Sequence, residues 1–456
     1  MVQVSDDIEK KVLKMVTPSQ NDRKKLEEVI QDLKEQVKQE TKERDLPVSV
    51  EIVGSTTKDT YLKNNLDIDL FIVFPATFSK EDIAQNALSI GKKLLKKTEE
   101  CYAEHPYIRG HYHKQRVEIV PCYKIESASQ KLSAVDRTPL HTKYVKEHLH
   151  ESQKQEVRLF KQFLQGIRCY GAEAEIEGFS GYLCEILVMK YESFKKLIQH
   201  AQHWKFGEKI ALSEGNYPSF DTPLTFIDPV DSNRNVASAL SREKFDLFVK
   251  ACIEYLKKPR ITFFFPNEIK PWSLEKIKTE TKKQRDLYIC VKIVKPDIIA
   301  ENLYPQIRKA VRSIKDVCER HDFSIYDVIF HVDESENIIF IVVKTKIEPL
   351  SKTLIHEGPP VKLEKNAKEF IQKWEDNPKV TKKPYEENGR LYIELKREYT
   401  EIKDFLRDQV RNLSLGKHLD ESRDKGYEIV ELEDLLKDNL RVFWTAYLDE
   451  KMLWER

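Results

Sequence analysis

The sequence predicts a multidomain chain of mixed α/β and α+β class, and three observations carry that prediction. The chain has 456 residues, enough for roughly three domains of about 150 residues each. Its first third alternates strand-like with helix-like periods, its middle is helix-like, and its last part runs β-α-β-β-α-β. Apolar residues make up 40% and charged residues 34%, which suits a soluble globular protein and excludes a small disulfide-stapled scaffold. The longest apolar run, Ile338 to Val343, is strand-sized and far below the ~18 residues of a membrane span. With no secretory apolar region at the N-terminus, the expected location is the cytoplasm. The seven cysteines are odd in number and form no Cys-x-x-Cys pair, so they read as buried thiols in a reducing compartment.

From Asn21, Leu26, Val29, Ile30, Leu33 and Val37 form one stripe of an amphipathic helix that ends before Pro47. Val48, Val50 and Ile52 alternate as a strand running into a Gly54-Ser55 turn, and Leu66 to Phe74 alternates as a longer one. Ser79 reads as the N-cap of a helix carrying Ile83, Ala87, Ile90 and Leu94. Val117 to Val120 reads as a third strand stopped by Pro121. This first part is therefore a mixed sheet covered by helices.

Beyond residue 149, Val157, Phe160, Leu164 and Ile167 make a helical stripe ending near Tyr170-Gly171, and Leu183 to Trp204 continues the helical pattern. Asp228-Pro229 breaks it, Ser241 caps a further helix, and Pro259 closes the segment. Phe263-Phe264-Phe265 reads as core strand. Strands at Leu287–Val294, Ser324–His331, Ile338–Val343 and Leu391–Leu395 then bracket helices at Asn302–Arg320 and Ala367–Trp374. That order is the ferredoxin-like split βαβ arrangement. Arg242 to Arg320 holds 19 basic and 11 acidic side chains in a chain of net charge +1, so this stretch either faces a polyanion or forms solvated helix faces.

Leu66-Asp67-Ile68-Asp69-Leu70 carries the sharpest chemical signal. Alternate strand residues point the same way about 6.5 to 7 Å apart, so both carboxylates leave one face of the sheet. A pair of this kind suits a hard divalent cation; alternation alone also produces the polar side of an edge strand. Glu118, between Val117 and Ile119, supplies a third carboxylate. Only 13 glycines are present, under half the usual ~7%, so Gly54, Gly171, Gly178 and Gly181 are expected where backbone geometry demands them. Gly54-Ser55 can bring backbone amides and a hydroxyl to a phosphate, and Lys58 and Lys63 follow closely enough to neutralise it. Lys161 falls near the polar side of its helix, free to reach a phosphate or simply solvated. Tyr170 suits stacking on a ribose or base, or plain packing. The pairs His111/His113, His148/His150 and His200/His203 lack partners at structural zinc spacing.

Gly54-Ser55, the Leu66–Phe71 segment and Val117-Glu118-Ile119-Val120-Pro121-Cys122-Tyr123 together resemble the polymerase-beta nucleotidyltransferase superfamily, and more specifically the archaeal, class I CCA-adding enzymes. Tyr102–Tyr107, Ser133–Pro139, Gly178–Glu185, Asp228–Asp231, Lys295–Asp297, Asn302–Gln306 and Glu387–Arg390 extend the resemblance over nearly the whole chain. It implies a tRNA nucleotidyltransferase that adds C, C and A to the tRNA 3′ end from CTP and ATP without a template, with magnesium (Mg2+) as cofactor. Asp67 and Asp69 would bind metal, with Glu118 as the third carboxylate. Gly54, Ser55 and Lys58 would contact the triphosphate. His141, Lys161 and Tyr170 would line the nucleotide pocket, and Arg234 would help read the base. The family also implies a homodimer, for which the residues carry no separate argument.

Two departures from the family pattern stand out. Thr56 and Lys58 replace an aromatic and an arginine, so the charge stays while the bidentate fork is lost. Glu118 replaces a more usual aspartate and is one methylene longer. The expected organisation is a nucleotidyltransferase-type head at 1–148, a helical neck with nucleotide pocket and base selection at 149–260, and a ferredoxin-like, tRNA-binding body with tail at 261–456. Two alternatives compete with CCA addition: a poly(A) polymerase of the same superfamily, and a catalytically silent RNA-binding module.

Overall fold

Short sequence signals set most element boundaries in the computed structural model, which describes residues 2–64, 66–102 and 105–456. Ala103 and Glu104, in one of the segments carrying the resemblance, lie outside the described residues. The chain divides into two units, Met1–Glu268 with Lys451–Arg456, and Ile269–Glu450.

The first unit begins with α1 (Val2–Val16), α2 (Gln20–Glu43), β1 (Ser49–Val53), the one-turn α3 (Gly54–Lys58), β2 (Asp67–Phe74) and α4 (Lys80–Leu94). β3 (Lys96–Tyr102), β4 (Pro106–Tyr112) and β5 (Gln115–Tyr123) follow. The Ser19 and Ser79 hydroxyls accept from the Asp22 and Asp82 amides, which starts α2 and α4 where the chain would otherwise leave donors unpaired. The five strands lie in the order β1-β2-β5-β4-β3, with β2 and β5 parallel. Ile68, Leu70, Ile72 and Phe74 bury against Leu33, Val37, Ile83, Ala87 and Ile90 of the two helices. Because strand side chains alternate, that burial directs Asp67 and Asp69 to the opposite face.

β5 does not stop at Pro121 as its sequence suggests, but pairs with β2 through Tyr123. β4 pairs with β5 only up to Ile119, so at Pro121 one flank is open and the missing N–H breaks no ladder.

The unit continues with α5 (Thr138–His148), α6 (Gln153–Gly166), α7 (Gly181–Tyr191) and α8 (Phe194–Ala201). Three short strands follow, β6 (Glu208–Ile210), β7 (Leu224–Asp228) and β8 (Asp231–Asn235), before α9 (Arg242–Lys257). The expected helical middle therefore contains a small sheet, whose central β7 is buried at every position. Only five residues long and mixing Thr225 and Asp228 with Leu224, Phe226 and Ile227, β7 carries no sustained period to betray it. α6 ends at Gly166, earlier than expected, and Tyr170 forms an isolated bridge with Phe179. Phe263 and Phe264 are core residues as anticipated, but in a 3-10 turn rather than a strand. Trp454 packs into the same core, its ring 5.1 Å from that of Phe263, and its indole N–H donates to Glu254 at 2.6 Å.

The second unit contains α10 (Leu274–Gln284), β9 (Asp286–Val294), α11 (Ala300–Arg320), β10 (Ile325–Asp333) and β11 (Ile338–Lys346). Next come β12 (Thr353–Pro360), α12 (Glu364–Trp374), β13 (Val380–Glu387) and β14 (Arg390–Lys396), then α13 (Ile402–Gln409), α14 (Lys417–Lys425), β15 (Tyr427–Glu431) and α15 (Arg441–Leu448). Its main sheet, β10-β11-β9-β15, has the ferredoxin-like order. One face packs on α11, α13 and α14 through Ile307, Ile314, Phe405 and Leu419, the other on α10 and α15 through Ile277 and Trp444. The helix at 367–374 and the strand at 391–395 do not complete this sheet. They belong to an inserted three-stranded sheet, β12-β14-β13, and β15 takes the fourth place. All seven cysteines are buried free thiols. No helix among the described residues is long and apolar enough to cross a membrane.

Candidate active site

Asp67 and Asp69 project from β2, and the parallel register sets Glu118 of β5 beside Asp69. Burial, then the neighbouring Glu118 and Asp67 carboxylates, push the Asp69 carboxyl up to about 7. Arg109 of β4 donates from its Nε to Glu118 Oε1 at 2.8 Å, and Arg116 Nε lies 3.5 Å from Asp67 Oδ1. Among the described residues, no three His, Cys, Asp or Glu side chains converge into a ready metal cluster. The backbone thus sets the three carboxylates at adjacent positions, while the Glu118 side chain is engaged by Arg109. The donor chemistry fits a hard divalent cation, since a cation relieves the repulsion felt at Asp69. Glu118 would join such a site by exchanging Arg109 for it.

Gly54 explains itself by contact. Its φ is +75°, and a Cβ at this position would lie 2.0 Å from Asp69 Oδ2. The turn is pressed against the second aspartate, which only a residue without a side chain permits. Gly54, Ser55, Lys58, Asp67, Asp69, His141, Lys161 and Tyr170 all line one cavity of about 850 Å³. Lys63 does not: it is exposed and pairs with Asp22 at 3.2 Å. Glu118 and Arg234 are also absent from the cavity lining.

Of the two readings open for Lys161, reaching into a pocket or plain solvation, the structure excludes solvation. α6 is buried on nearly all sides, and Lys161 is only 1% exposed. Its Nζ donates to Thr60 O at 3.1 Å and Thr60 Oγ1 at 3.2 Å, and lies 3.6 Å from Glu185 Oε1. Lys58 Nζ is 2.5 Å from Glu185 Oε2. Burial opposes ionisation of Glu185, but Lys58 and Lys161 outweigh it and hold the carboxyl below its usual range. Burial lowers the Lys161 ammonium, against the pull of Glu185. Tyr170 is pushed well up by burial, and its hydroxyl lies against Gly181, where an added Cβ would be 3.2 Å away.

His141 and Arg234 meet at Asp228, at the end of β7. Asp228 Oδ2 lies 2.8 Å from His141 Nε2 and accepts from Arg234 at 2.9 Å. Its Oδ1 accepts from the Tyr182 hydroxyl at 3.1 Å and the Val230 amide at 3.0 Å. Burial works against the anion, yet the bonds from His141, Val230 and Arg234 hold the carboxyl at about 2. Burial lowers the imidazolium of His141, with Asp228 opposing, and its ring stacks on Tyr182 at 4.0 Å.

Glu185, Thr60, Asp228, Tyr182 and Arg109 join the site without being among the residues expected there from the sequence. Two of them carried a signal: Glu185 is the lone acid within the apolar run Leu183–Val188, and Asp228 ends the largely apolar stretch Leu224–Ile227. A charge inside a buried run needs partners, which makes it worth seeking them. Arg109 and Thr60 gave no such signal.

Comparison with known proteins agrees along the chain. A family described as nucleotidyltransferase domain matches residues 30–141. Another, tRNA nucleotidyltransferase, second domain, matches 155–265, and CCA-adding enzyme, C-terminal domain, matches 286–431. The chain is 34% identical over 447 residues to a CCA-adding enzyme of Methanosarcina mazei, covering 96% of this chain and 98% of that protein. It is 36% identical over 451 residues to one of Methanosarcina acetivorans, covering 96% and 98%. With one of Archaeoglobus fulgidus it shares 35% identity over 452 residues, covering 98% of each.

Proposed function

This chain belongs to the CCA-adding enzyme family, tRNA nucleotidyltransferases that add CCA to tRNA 3′ ends, and on that premise we propose how its own residues divide the work. The observation that carries the assignment is the shared cavity: the paired aspartates, the Gly-Ser turn and two buried lysines face one space of about 850 Å³, of the size that holds a small-molecule ligand. CTP and ATP are the nucleotides, and tRNA is the acceptor. The 3′-hydroxyl oxygen attacks the α-phosphorus, a new P–O bond forms, the bond to pyrophosphate breaks and pyrophosphate leaves, while the hydroxyl proton passes to solvent water.

Asp67, Asp69 and, once released by Arg109, Glu118 would hold magnesium, which when bound would supply charge stabilisation to the transferring phosphoryl group. Gly54 and Ser55 present backbone and hydroxyl to the triphosphate, and the Lys58 and Lys161 ammonium groups offset its charge. Lysine serves here as a point charge rather than a fork. His141, stacked on Tyr182, and Tyr170 shape the pocket around base and ribose. Arg234, fixed by Asp228, presents donors to the base. In the same reading residues 1–148 are the catalytic head, 149–260 the neck, and 261–456, less the 261–268 and 451–456 segments that belong to the first unit, the body and tail that hold tRNA by shape and backbone contacts. A cytoplasmic homodimer completes it.

Labelled CTP and ATP, singly and together with magnesium, are offered to a tRNA lacking its CCA end, with an unstructured RNA as control. Two C residues followed by one A, on tRNA alone and abolished by EDTA, support the reading. Long A tails on either RNA would favour a poly(A) polymerase, and tight tRNA binding without transfer would favour a silent module.

Base selection gives a separate prediction. Asp228→Asn keeps the size of the side chain but weakens its hold on Arg234, since an amide nitrogen cannot accept. The expected result is a fall of roughly 10- to 100-fold in kcat/KM for CTP and ATP, with relative incorporation of UTP rising. Unchanged selectivity in single-nucleotide assays would remove Arg234 from base reading through Asp228.

A further inference from the structure

We propose that Glu185 is a positioning residue for nucleotide binding: its buried carboxylate holds the Lys58 and Lys161 ammonium groups at the cavity wall, charged and aimed for the incoming triphosphate. The proposal rests on the reading of those two lysines as triphosphate contacts. Glu185 is wholly buried on α7 and lines the same cavity as both lysines. Its Oε2 holds Lys58 at 2.5 Å, and its Oε1 accepts from Thr60 Oγ1 at 2.5 Å and lies 3.6 Å from Lys161. Thr60 in turn accepts from Lys161 through its carbonyl and hydroxyl oxygens. One carboxylate and one hydroxyl therefore fix two cations brought together from α3 and α6.

Two ammonium groups confined together out of water repel, and the cheaper outcome is for one to lose its proton. A neutral amine would hold phosphate as a poor partner. The groups facing Lys161 are Lys58 on α3, Cys184 and Glu185 on α7, Arg158 on its own helix, and the Tyr170 hydroxyl near Gly181. Of these, Lys58 and Arg158 are cations that disfavour the Lys161 charge, and Glu185 is the acid with the largest favourable influence on it. Glu185 sets one carboxylate against both ammonium groups from the α7 side, while Asp69, an acid that shares the cavity, acts on Lys58 from the β2 side. Without Glu185, burial acts on the Lys161 ammonium with its main counter-charge removed, so its proton is lost more readily as pH rises.

The test compares the parent with Glu185→Gln, Thr60→Val, Lys58→Met and Lys161→Met in steady-state kinetics with saturating tRNA lacking CCA. For Glu185→Gln the expected result is a KM for both CTP and ATP raised roughly 10- to 100-fold. The alkaline limb of the kcat/KM profile should move to lower pH by about one unit or more. tRNA affinity should stay within about twofold. Should Glu185→Gln fail to fold, judged by circular dichroism, Thr60→Val decides. It keeps every charge and the side-chain shape but removes the hydroxyl that ties Glu185 to Lys161, and a raised KM is expected. A parental KM and alkaline limb in Glu185→Gln, or a parental KM in Thr60→Val, while Lys161→Met raises KM, overturns the role of Glu185 alone. If Lys58→Met and Lys161→Met both leave KM unchanged, the triphosphate assignment itself fails, and this proposal with it.

Discussion

Asp69→Asn abolishes nucleotide transfer, lowering kcat by at least roughly a thousandfold, and at the same time stabilises the metal-free protein above neutral pH. Both effects come from one cause. Asp69 stands part-buried beside Glu118 and Asp67, and its carboxyl is pushed up to about 7 by burial first and those carboxylates second. A folded-state value raised above the usual 3.8 means that the folded protein holds this proton more tightly than the unfolded chain does. Stability is then fully retained below about pH 4, falls as pH rises from there, and reaches its full loss above about pH 7. An amide removes that loss, by about 1–3 kcal/mol after allowance for partial solvent access. Denaturant titrations in EDTA at pH 4 and pH 8 should show no difference from the parent at the lower pH and a more stable variant at the higher. tRNA affinity should be unchanged. Retained transfer in the variant would remove Asp69 from the metal set, and a variant no more stable than the parent at pH 8 would remove the strain argument.

Gly54→Ala should cost kcat/KM for CTP at least about 100-fold while costing stability only about 1–3 kcal/mol. The methyl group would arrive 2.0 Å from Asp69 Oδ2, so either the turn or the carboxylate must move, and both belong to the chemistry. Gly207→Ala separates strain from displacement. Gly207 also has a positive φ, +85°, yet nothing lies within 4 Å of an added Cβ. It should lose comparable stability and keep near-parental activity. Equal activity in the two variants would mean that the Gly54 turn does not set the position of Asp69.

The parts of the fold legible in the sequence were those fixed by neighbours in the chain. Ser79 and Ser241 cap their helices as read, because capping is a contact over three residues. Asp67 and Asp69 share a face because alternation is a property of the strand itself. What stayed hidden depends on distant partners. Leu391–Leu395 is a strand, but only pairing decides that it joins the inserted sheet and that Tyr427–Glu431 closes the main one. The clean apolar stripe of α6 put Lys161 on a polar side open to phosphate or solvent alike, yet α7 and the Thr60 segment cover that side. Pro121 looked like a stop because the early end of β4 could not be seen from β5. The family resemblance supplied residue roles that spacing alone could not, but not Glu185 or Asp228, which emerge only when their partners are brought together.

Trp454 has a consequence for how the protein is made. It completes the aromatic packing around Phe263 and closes a hydrogen bond with Glu254, but a ribosome reaches it only after the whole of Ile269–Glu450 has been synthesised. A nascent chain folds from its N-terminal side as it emerges, so the catalytic unit waits, with one seat in its core unfilled, until translation has passed the entire second unit. A chain cut short by a premature stop anywhere in that stretch would carry every residue of the candidate active site and still present to chaperones and proteases the Phe263 face that Trp454 covers, with Phe163 and Tyr255 on its other sides. Synthesis order thereby favours chains that carry both units over those that carry the catalytic residues alone.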